Sequence, residues 1–427
     1  MKSIHHTNGR VLQKVLKSVS LTFIVLLLAA GSLLAQQAKY VFFFIGDGMG
    51  VAHVAATEAY LQATDHDYGS DSLTFTGFPF TGFSTTHAEN RFITGSAAAG
   101  TALATGHKTT IGTISMGPAK KKPLKTIAER AKDEGFKVGI ISSVSIDHAT
   151  PAAYYAHQPE RGMYHGIAHD LPASGFDFFG GGGFKDPFGD AEEKSVYDVL
   201  SKKGYTLSWT KQSFDNLKKG DEKVVAMGSI LEPSGALRYA IDQTDEDIPL
   251  EAFVNKAIRL LDNESGFFIM CEEGKIDWAS HENDGKTVIE NVISLSKSVD
   301  EAMEFYREHP DETLIIVTAD HETGGLSMGH ALSKYDTEYA YLLAQEISSQ
   351  NFTLLADSLF NIEANQNLGF AMQLVEDYFG LGGSQGIPLN DYEQGLLEEA
   401  YFVSTAELDI DNNEAYVKYG GYYPLVA

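Results

Sequence analysis

The sequence has little cysteine and few basic residues. Cys271 is the one cysteine among 427 residues, so no intrachain disulfide can form. Lysine and arginine number 32 against 58 aspartate and glutamate residues, which gives a net charge of -26. This charge opposes non-specific attraction to nucleic acid and argues against a nucleic-acid scaffold role. It would also repel an anionic ligand, unless bound cations reversed the local field.

The sequence also lacks a clear membrane-spanning segment. The apolar run from Leu21 to Leu34 is shorter than the ~20 residues that cross a bilayer. Basic residues without acids precede this run, and Ala35 follows it, which is the pattern of a signal peptide. We therefore expect residues 1–35 to be cleaved, the mature protein to be periplasmic or secreted, and no membrane association after cleavage.

Four short apolar runs each end abruptly in polar residues. They are too short and too rich in β-branched and aromatic residues for helices, and continuous apolar character indicates strands buried on both faces. The runs extend from Tyr40 to Ile45, Lys137 to Ile141, Phe267 to Cys271 and Leu314 to Val317. Amphipathic segments between them, such as the one from Leu250 to Leu261, would supply covering helices. The pattern predicts an α/β fold, a three-layer sandwich with a largely parallel central sheet.

The carboxyl ends of parallel strands meet at one edge of a sheet, where functional sites form. Here those ends carry Asp47, Glu272, Asp320 and His321. Strands often end in Asp or Gly for reasons of turn geometry, and that explanation is sufficient for any one of these residues. It explains the whole set poorly, so we expect a functional site at this edge.

Two further segments offer candidates for the same edge. Asp277 and His281 are spaced four residues apart, so on a helix both would project toward a shared metal ion. Taken alone, the pair fits an ordinary surface contact better, but it closely follows the strand-ending Glu272. Arg161 could bind two phosphate oxygens with its planar guanidinium group, although an isolated arginine is by default a surface residue.

Ser96 begins an alanine-rich run that extends to Gly106 and is typical of a helix. A helix N-terminus stabilises negative charge. No Ser-His-Asp spacing is evident, so metal coordination would be the natural way to activate this hydroxyl as a nucleophile. In isolation, Ser96 is explained about equally well as a nucleophile and as the N-cap residue of a packed helix.

Together these residues resemble the alkaline phosphatase family, in the expected order from about Tyr40 to about Gly325. The matching segments are Gly46-Asp47-Gly48-Met49-Gly50, Thr94 through Gly106, His148 through Ala153, Glu272 with Ile276-Asp277 and His281, and Thr318 through Gly325. Each is weak alone, but their common order is specific. The stretch from Phe178 to Gly183 also resembles a glycine turn of the family, and by itself it indicates a loop.

The resemblance implies a metal-dependent hydrolase of small phosphate monoesters. It implies that Asp277 and His281 bind one zinc ion, and that Asp47, Asp320 and His321 bind a second. Family members are often dimers, so the resemblance allows a homodimer.

The resemblance also implies a third ion, usually magnesium, held by Thr150 and Glu272 together with Asp47. Glu272 is preferred to the following glutamate because the family's acid lies five residues before the metal-binding aspartate. Arg161 would clamp the phosphate, and Ser96 would carry the phosphoryl group as phosphoserine. Broad specificity and an alkaline optimum would follow.

Three positions near these motifs depart from the usual pattern. Gly95 stands where an aspartate that orients the arginine usually precedes the nucleophile, which implies a looser hold on Arg161. His148 is a neighbour of the third site and could shift its preference from magnesium toward zinc. Trp278 occupies a variable position.

The C-terminal part departs most. The family returns to its sheet with a final histidine ligand, whereas no histidine follows His330 here. We expect residues 36–325 to form the catalytic core and residues 326–427 to form a mostly helical, cap-like insertion, with the closing part of the core missing by truncation. His330 could substitute as a ligand but fits the insertion better, and residues 409–413 fit an acidic turn better than a calcium loop.

Two other functions remain open from the sequence. A related metallo-phosphodiesterase or phosphonate hydrolase shares the two-metal core but commonly uses a threonine nucleophile, so Ser96 favours the monoesterase. A catalytically impaired metal-binding protein would be expected if the final histidine is naturally absent.

Overall fold

The computed structural model describes residues 38–65, 72–190, 194–329, 337–362, 365–384 and 386–404. The expected signal peptide, His330 and residues 409–413 lie outside the described residues, so the interpretations placed on them stay predictions.

Seven strands of the described residues form one parallel sheet, in the order β4-β5-β3-β2-β6-β1-β7. The strands are β1 (Tyr40–Gly46), β2 (Lys137–Ser142), β3 (Phe178–Gly181), β4 (Thr206–Ser208), β5 (Val224–Met227), β6 (Phe267–Glu273) and β7 (Thr313–Ala319). The predicted α/β fold with a parallel central sheet is confirmed. All four predicted strands are present, each one or a few residues longer than its apolar run.

The loop expected from Phe178 to Gly183 is wrong for its first four residues, because β3 occupies Phe178–Gly181. A Cβ atom on Gly181 would lie 1.9 Å from the Ser142 carbonyl oxygen, and one on Gly182 would lie 2.1 Å from the Val144 carbonyl oxygen. The glycines therefore allow two backbones to approach closely. They serve this close packing at the end of a strand and do not indicate a loop.

Helices cover both faces of the sheet. They are α1 (Val51–Asp65), α2 (Ser96–Thr105), α3 (Ile127–Asp133), α4 (Ala149–Tyr155), α5 (Tyr164–Ser174), α6 (Val196–Lys202), α7 (Lys211–Asp215), α8 (Leu250–Leu261), α9 (Lys275–His281), α10 (Gly285–Glu308), α11 (Ser349–Phe360), α12 (Leu368–Phe379) and α13 (Asp391–Ser404). Short 3-10 helices cover Thr74–Gly77, Ala240–Asp242 and Tyr339–Ala344. No helix in the described part of the chain is long and apolar enough to cross a bilayer.

Two apolar clusters lie on opposite faces of the sheet and produce three layers. Phe42 and Phe44 of β1 face the cluster formed with α8 and α10. Ile45 of β1 and Met270 of β6 face the cluster formed with α2 to α6. Because side chains alternate along a strand, burial on both faces requires continuous apolar runs.

The described residues beyond β7 form three helices around a separate apolar cluster that includes Phe352 and Phe379. The expectation of a mostly helical segment is confirmed for these residues. Asp284 joins the segment to the core, because its carboxylate accepts hydrogen bonds from Gln345 Nε2 and Ser349 N, each at 2.7 Å.

Candidate active site

The register of the sheet aligns the candidate residues at its carboxyl edge. Ile45 of β1 pairs with Glu272 of β6 on one side and with Thr318 of β7 on the other. Asp47 directly follows β1, and Asp320 directly follows β7. The edge predicted from four separate segments therefore exists in the fold.

Asp47, Asp277 and His321 form a group of three potential metal ligands in the described part of the chain. One ligand atom from each lies within 4.8 Å of the others. His321 Nε2 lies 3.4 Å from Asp47 Oδ1 and 3.4 Å from Asp320 Oδ2. The sequence predicted that Asp277 binds one zinc ion and that Asp47, Asp320 and His321 bind a second, and the fold brings these four residues together. With Glu272 and His281 they form a cluster of potential ligands, hereafter the cluster.

The turn after β1 fixes Asp47 beside Asp320. Gly48 adopts φ +72° and donates its backbone N–H to Asp320 Oδ1 at 3.1 Å. A Cβ atom on Gly48 would lie 3.0 Å from the Asp277 Cα. Glycine is therefore required both for the left-handed conformation and for the close approach of α9.

Asp277 and His281 lie on one face of α9, as their spacing predicts. His281 Nε2 lies 3.5 Å from Asp277 Oδ1, and the His281 side chain remains 68% exposed. Thr323 donates its hydroxyl to Asp277 Oδ1 at 2.6 Å and holds this carboxylate in place. His281 thus lies at the solvent side of the cluster.

Glu272 points toward Asp47, whereas the adjacent Glu273 points to the opposite face. The Ser142 hydroxyl donates to Glu272 Oε2, and Thr150 Oγ1 donates to Asp47 Oδ2 at 3.4 Å. Glu273 accepts hydrogen bonds from Ser143 and other groups away from the cluster. Alternation along β6 therefore separates the two acids and favours Glu272 as the ligand.

Ser96 is the first residue of α2 and is 4% exposed. α2 packs against α4, where a Cβ atom on Gly100 would lie 3.4 Å from the Thr150 Cα. Ser96 precedes Gly100 by one turn, or about 6 Å of helix. The helix that begins at Ser96 therefore packs beside Thr150, the residue that donates to Asp47.

Arg161 is bound to His148 at the start of α4. Arg161 Nη2 donates to His148 Nε2 at 3.1 Å, and Arg161 N donates to the Gly112 carbonyl at 2.7 Å. Burial, followed by the positive charges of Arg161 and Lys185, lowers the pKa of His148 to about 3. The imidazole is neutral and accepts at Nε2, so it orients the guanidinium group.

Burial of so many acids at one edge is electrostatically costly. Burial and the neighbouring carboxylates of Asp320 and Asp277 raise the pKa of Asp47 well above its usual value. Burial and the charge of Asp47 likewise raise the pKa of Glu272. The pKa of Asp320 rises to about 7, chiefly through burial. Bound cations would remove this penalty by keeping the carboxylates ionised.

The donor atoms fit divalent ions. Four buried atoms of the cluster have no hydrogen-bond partner among the described residues, namely Asp47 Oδ1, Glu272 Oε1, Asp320 Oδ2 and His321 Nε2. Carboxylate oxygens with imidazole nitrogens suit zinc, and carboxylates with a threonine hydroxyl suit magnesium. Unpartnered buried acceptors facing one another are what such ions require.

Two residues that support the cluster, Ser142 and Thr323, were not identified from the sequence. Ser142 and Thr323 donate hydrogen bonds to carboxylates of the cluster. A serine or threonine at or after the end of a strand is too common to indicate this role. His53 accepts from Gly50 N at 3.1 Å and contacts Ser280 Oγ at 3.1 Å, which ties the turn after β1 to α9. Their partners are distant in sequence, so no local spacing could reveal them.

Known proteins are similar to most of the described chain. A family model described as alkaline phosphatase matches residues 38–368. "Alkaline phosphatase 4" of Bacillus subtilis is 35% identical over 302 residues, covering 69% of this chain and 63% of the relative. The chain thus spans somewhat less than two thirds of the length of this curated relative.

Solved structures agree with the fold. A cold-active alkaline phosphatase from Shewanella sp. aligns with a TM-score of 0.72 and 28% identity, covering 90% of this chain and 89% of that one. A mutant alkaline phosphatase of the Antarctic bacterium TAB5, with Mg bound in its M3 site, aligns with a TM-score of 0.58 and 28% identity, covering 68% of this chain and 80% of that one. By motif order, fold and similarity along most of its length, the chain belongs to the alkaline phosphatase family.

Proposed function

We propose that the protein hydrolyses phosphate monoesters to an alcohol and inorganic phosphate, with Ser96 as the nucleophile. The observation that carries this proposal is the cluster of buried, unpartnered acceptors at Asp47, Glu272, Asp320 and His321. The similarity to alkaline phosphatases supports the same reaction class.

The residues of the cluster would hold two zinc ions and one magnesium ion. Asp277 and His281 would bind one zinc ion, and Asp320, His321 and Asp47 the other.

Thr150 and Glu272 would hold magnesium together with Asp47. When bound, these ions supply the positive charge that favours ionisation of the attacking and leaving oxygens. The TAB5 structure with Mg in its M3 site is consistent with a third-ion role in the family.

Ser96 would carry out the first step. The Ser96 hydroxyl loses its proton, and its oxygen attacks phosphorus in line. The P–O bond to the leaving group breaks, and the departing alkoxide takes up a proton, so the step consumes no net proton. The N-terminus of α2 stabilises the negative charge on the phosphoryl group. Water then attacks the phosphoserine, releases phosphate and restores the Ser96 hydroxyl.

Arg161 would bind two phosphate oxygens and hold the ester for this attack. His148 keeps the guanidinium group oriented through the 3.1 Å bond to Nη2. This support is suited to a site in which Gly95 offers no carboxylate to orient the arginine. Because these contacts reach only the phosphoryl group, a broad range of monoesters would be accepted.

We further propose that the core of residues 36–325 carries the chemistry and that residues 326–427 form a cap. A periplasmic or secreted location, reached through the signal peptide of residues 1–35, accords with the large net negative charge.

The Ser96→Ala variant tests the proposal directly. Zinc- and magnesium-loaded protein should hydrolyse a chromogenic phosphate monoester at alkaline pH, and Ser96→Ala should lose about a thousandfold or more of kcat. Ser195→Ala is a matched control, because Ser195 also lies at the start of a helix, α6, where its side chain accepts a hydrogen bond from Tyr197 N. Full activity in Ser96→Ala would refute the assignment, and preferred cleavage of a phosphodiester would support the diesterase instead.

A further inference from the structure

Lys275, the first residue of α9, is a fully buried lysine that the proposed reaction does not use. It has 0% exposure, and its Nζ lies 2.6 Å from Glu232 Oε2. The Glu232 side chain is itself almost completely buried. A buried ion pair seldom adds stability over apolar residues of similar volume, so this pair calls for another explanation.

The ammonium group also contacts two aromatic rings. Lys275 Nζ lies 3.5 Å from the centroid of Tyr239 and 4.7 Å from the centroid of Trp278. Lys275 and Trp278 are three residues apart on α9, so they share one face of the helix. Cation–π attraction in a desolvated setting fixes the position of the indole.

Trp278 in turn contacts the histidine that holds Arg161. The indole meets the imidazole of His148 edge to face, with 5.7 Å between ring centroids and an interplanar angle of 73°. His148 Nε2 accepts from Arg161 Nη2 at 3.1 Å. A continuous series of contacts therefore runs from Glu232 through Lys275, Trp278 and His148 to Arg161.

We propose that the buried Lys275–Glu232 pair positions Arg161 for phosphate binding, acting through Trp278 and His148. Lys275 is a positioning residue here, since it touches neither the substrate nor the metal ligands. The proposal rests on the proposed function in so far as Arg161 is the phosphate-binding residue. Gly95 offers no carboxylate in this chain, and the series supports the guanidinium group through His148 instead.

The test uses Trp278 as an internal reporter. The chain contains two tryptophans, so Trp209→Phe leaves Trp278 as the sole source of tryptophan emission. Trp209 is largely exposed and contacts Tyr197 instead of the cluster, which makes this background neutral. Acrylamide quenching then measures how accessible the Trp278 indole is to the quencher, with no need for enzymatic activity.

Lys275→Met should make Trp278 more accessible to acrylamide and should weaken inhibition by inorganic phosphate about three- to tenfold. KM should rise by the same factor while kcat stays within about twofold, because the metal ligands are unaffected. Lys275→Arg retains the charge and should restore both readouts in large part. The same Lys275→Met change in a His148→Ala background should no longer alter phosphate affinity, because the series is already interrupted.

The double variant Lys275→Met/Glu232→Leu guards against misfolding from an unpaired buried glutamate, because it removes both charges at once. If this variant keeps the wild-type melting temperature, phosphate affinity and Trp278 quenching, the proposal is overturned. Equal losses for Lys275→Met with and without His148 would also overturn it. Absence of hydrolysis in the wild type would instead refute the proposed function, and the quenching comparison would still decide whether Lys275 positions Trp278.

Discussion

Replacement of Asp320 by asparagine should affect the metal-free and metal-loaded protein in opposite directions. In the fold without metal, burial and the charges of Asp277 and Glu272 raise the pKa of Asp320 from 3.8 to about 7. A raised carboxyl pKa means that the ionised form destabilises the fold. This penalty is absent below about pH 4, grows as the pH rises, and is complete above about pH 7.

The size of the effect follows from the shift. About three pKa units at 1.36 kcal/mol each give about 4 kcal/mol of destabilisation at pH 8. Asparagine retains the oxygen that accepts from Gly48 N and His321 N, at 3.1 and 2.8 Å. Its amide nitrogen replaces the unpartnered Oδ2, which costs about 1–2 kcal/mol if it stays unpaired. The net gain for Asp320→Asn should therefore be about 2–3 kcal/mol.

Urea denaturation in the presence of EDTA measures this gain. The advantage of Asp320→Asn at pH 8 should have largely disappeared at pH 5, where the native carboxyl is protonated. With zinc and magnesium present, the sign should reverse, because the variant lacks a charged ligand. Asp311→Asn, at an exposed position before β7, is the control and should change neither state. A variant no more stable than wild type at pH 8 in EDTA would show that Asp320 is not a source of electrostatic strain.

Two other variants test the framework around the site. Gly181→Ala would place a Cβ atom 1.9 Å from the Ser142 carbonyl oxygen at φ +109° and should lower the free energy of unfolding by more than about 4 kcal/mol, measured as a lost or strongly lowered Tm. Gly285→Ala is the control and should be tolerated, because Gly285 faces open space at the start of α10. Similar losses of stability in both variants would contradict the steric argument. Asp284→Ala removes acceptors for Gln345 and Ser349, so limited proteolysis should cut within residues 337–404 faster than in wild type. Asp284→Asn should show a smaller effect, and unchanged cleavage in both variants would mean that Asp284 does not anchor the helical segment.

The central strands were predictable because both faces of the sheet are covered. Phe42 and Ile45 of β1 must be apolar for different layers, so the run is continuous and its polar end marks the site. The i, i+4 spacing of Asp277 and His281 was likewise predictable, because it depends on one helix alone. The position of Glu272 was predicted through the family resemblance, and the alternation of β6 gives it a physical basis.

Other features depend on contacts that no local pattern encodes. Glycines in β3 resemble a loop until the Ser142 backbone is seen against Gly181. From the sequence, Lys275 resembles an exposed helix residue. Its partner Glu232 is distant in sequence, and only the fold buries the pair. The close grouping of Asp277 with Asp47 required the crossing of α9 over the turn at Gly48.

The position of β1 has a consequence for the order of folding during synthesis. β1 is the first strand of the described residues to be made, yet Tyr40 pairs with Phe267 on one side and with Thr313 on the other. At ordinary rates of translation the strand waits roughly ten seconds or more for its first neighbour. During that time a run of aromatic residues with strong β-propensity is open to intermolecular pairing. Lys39 and Asp47, which flank the run, are charged residues of the kind that limit such aggregation, so we expect Asp47 to protect the unfolded chain as well as to serve the site.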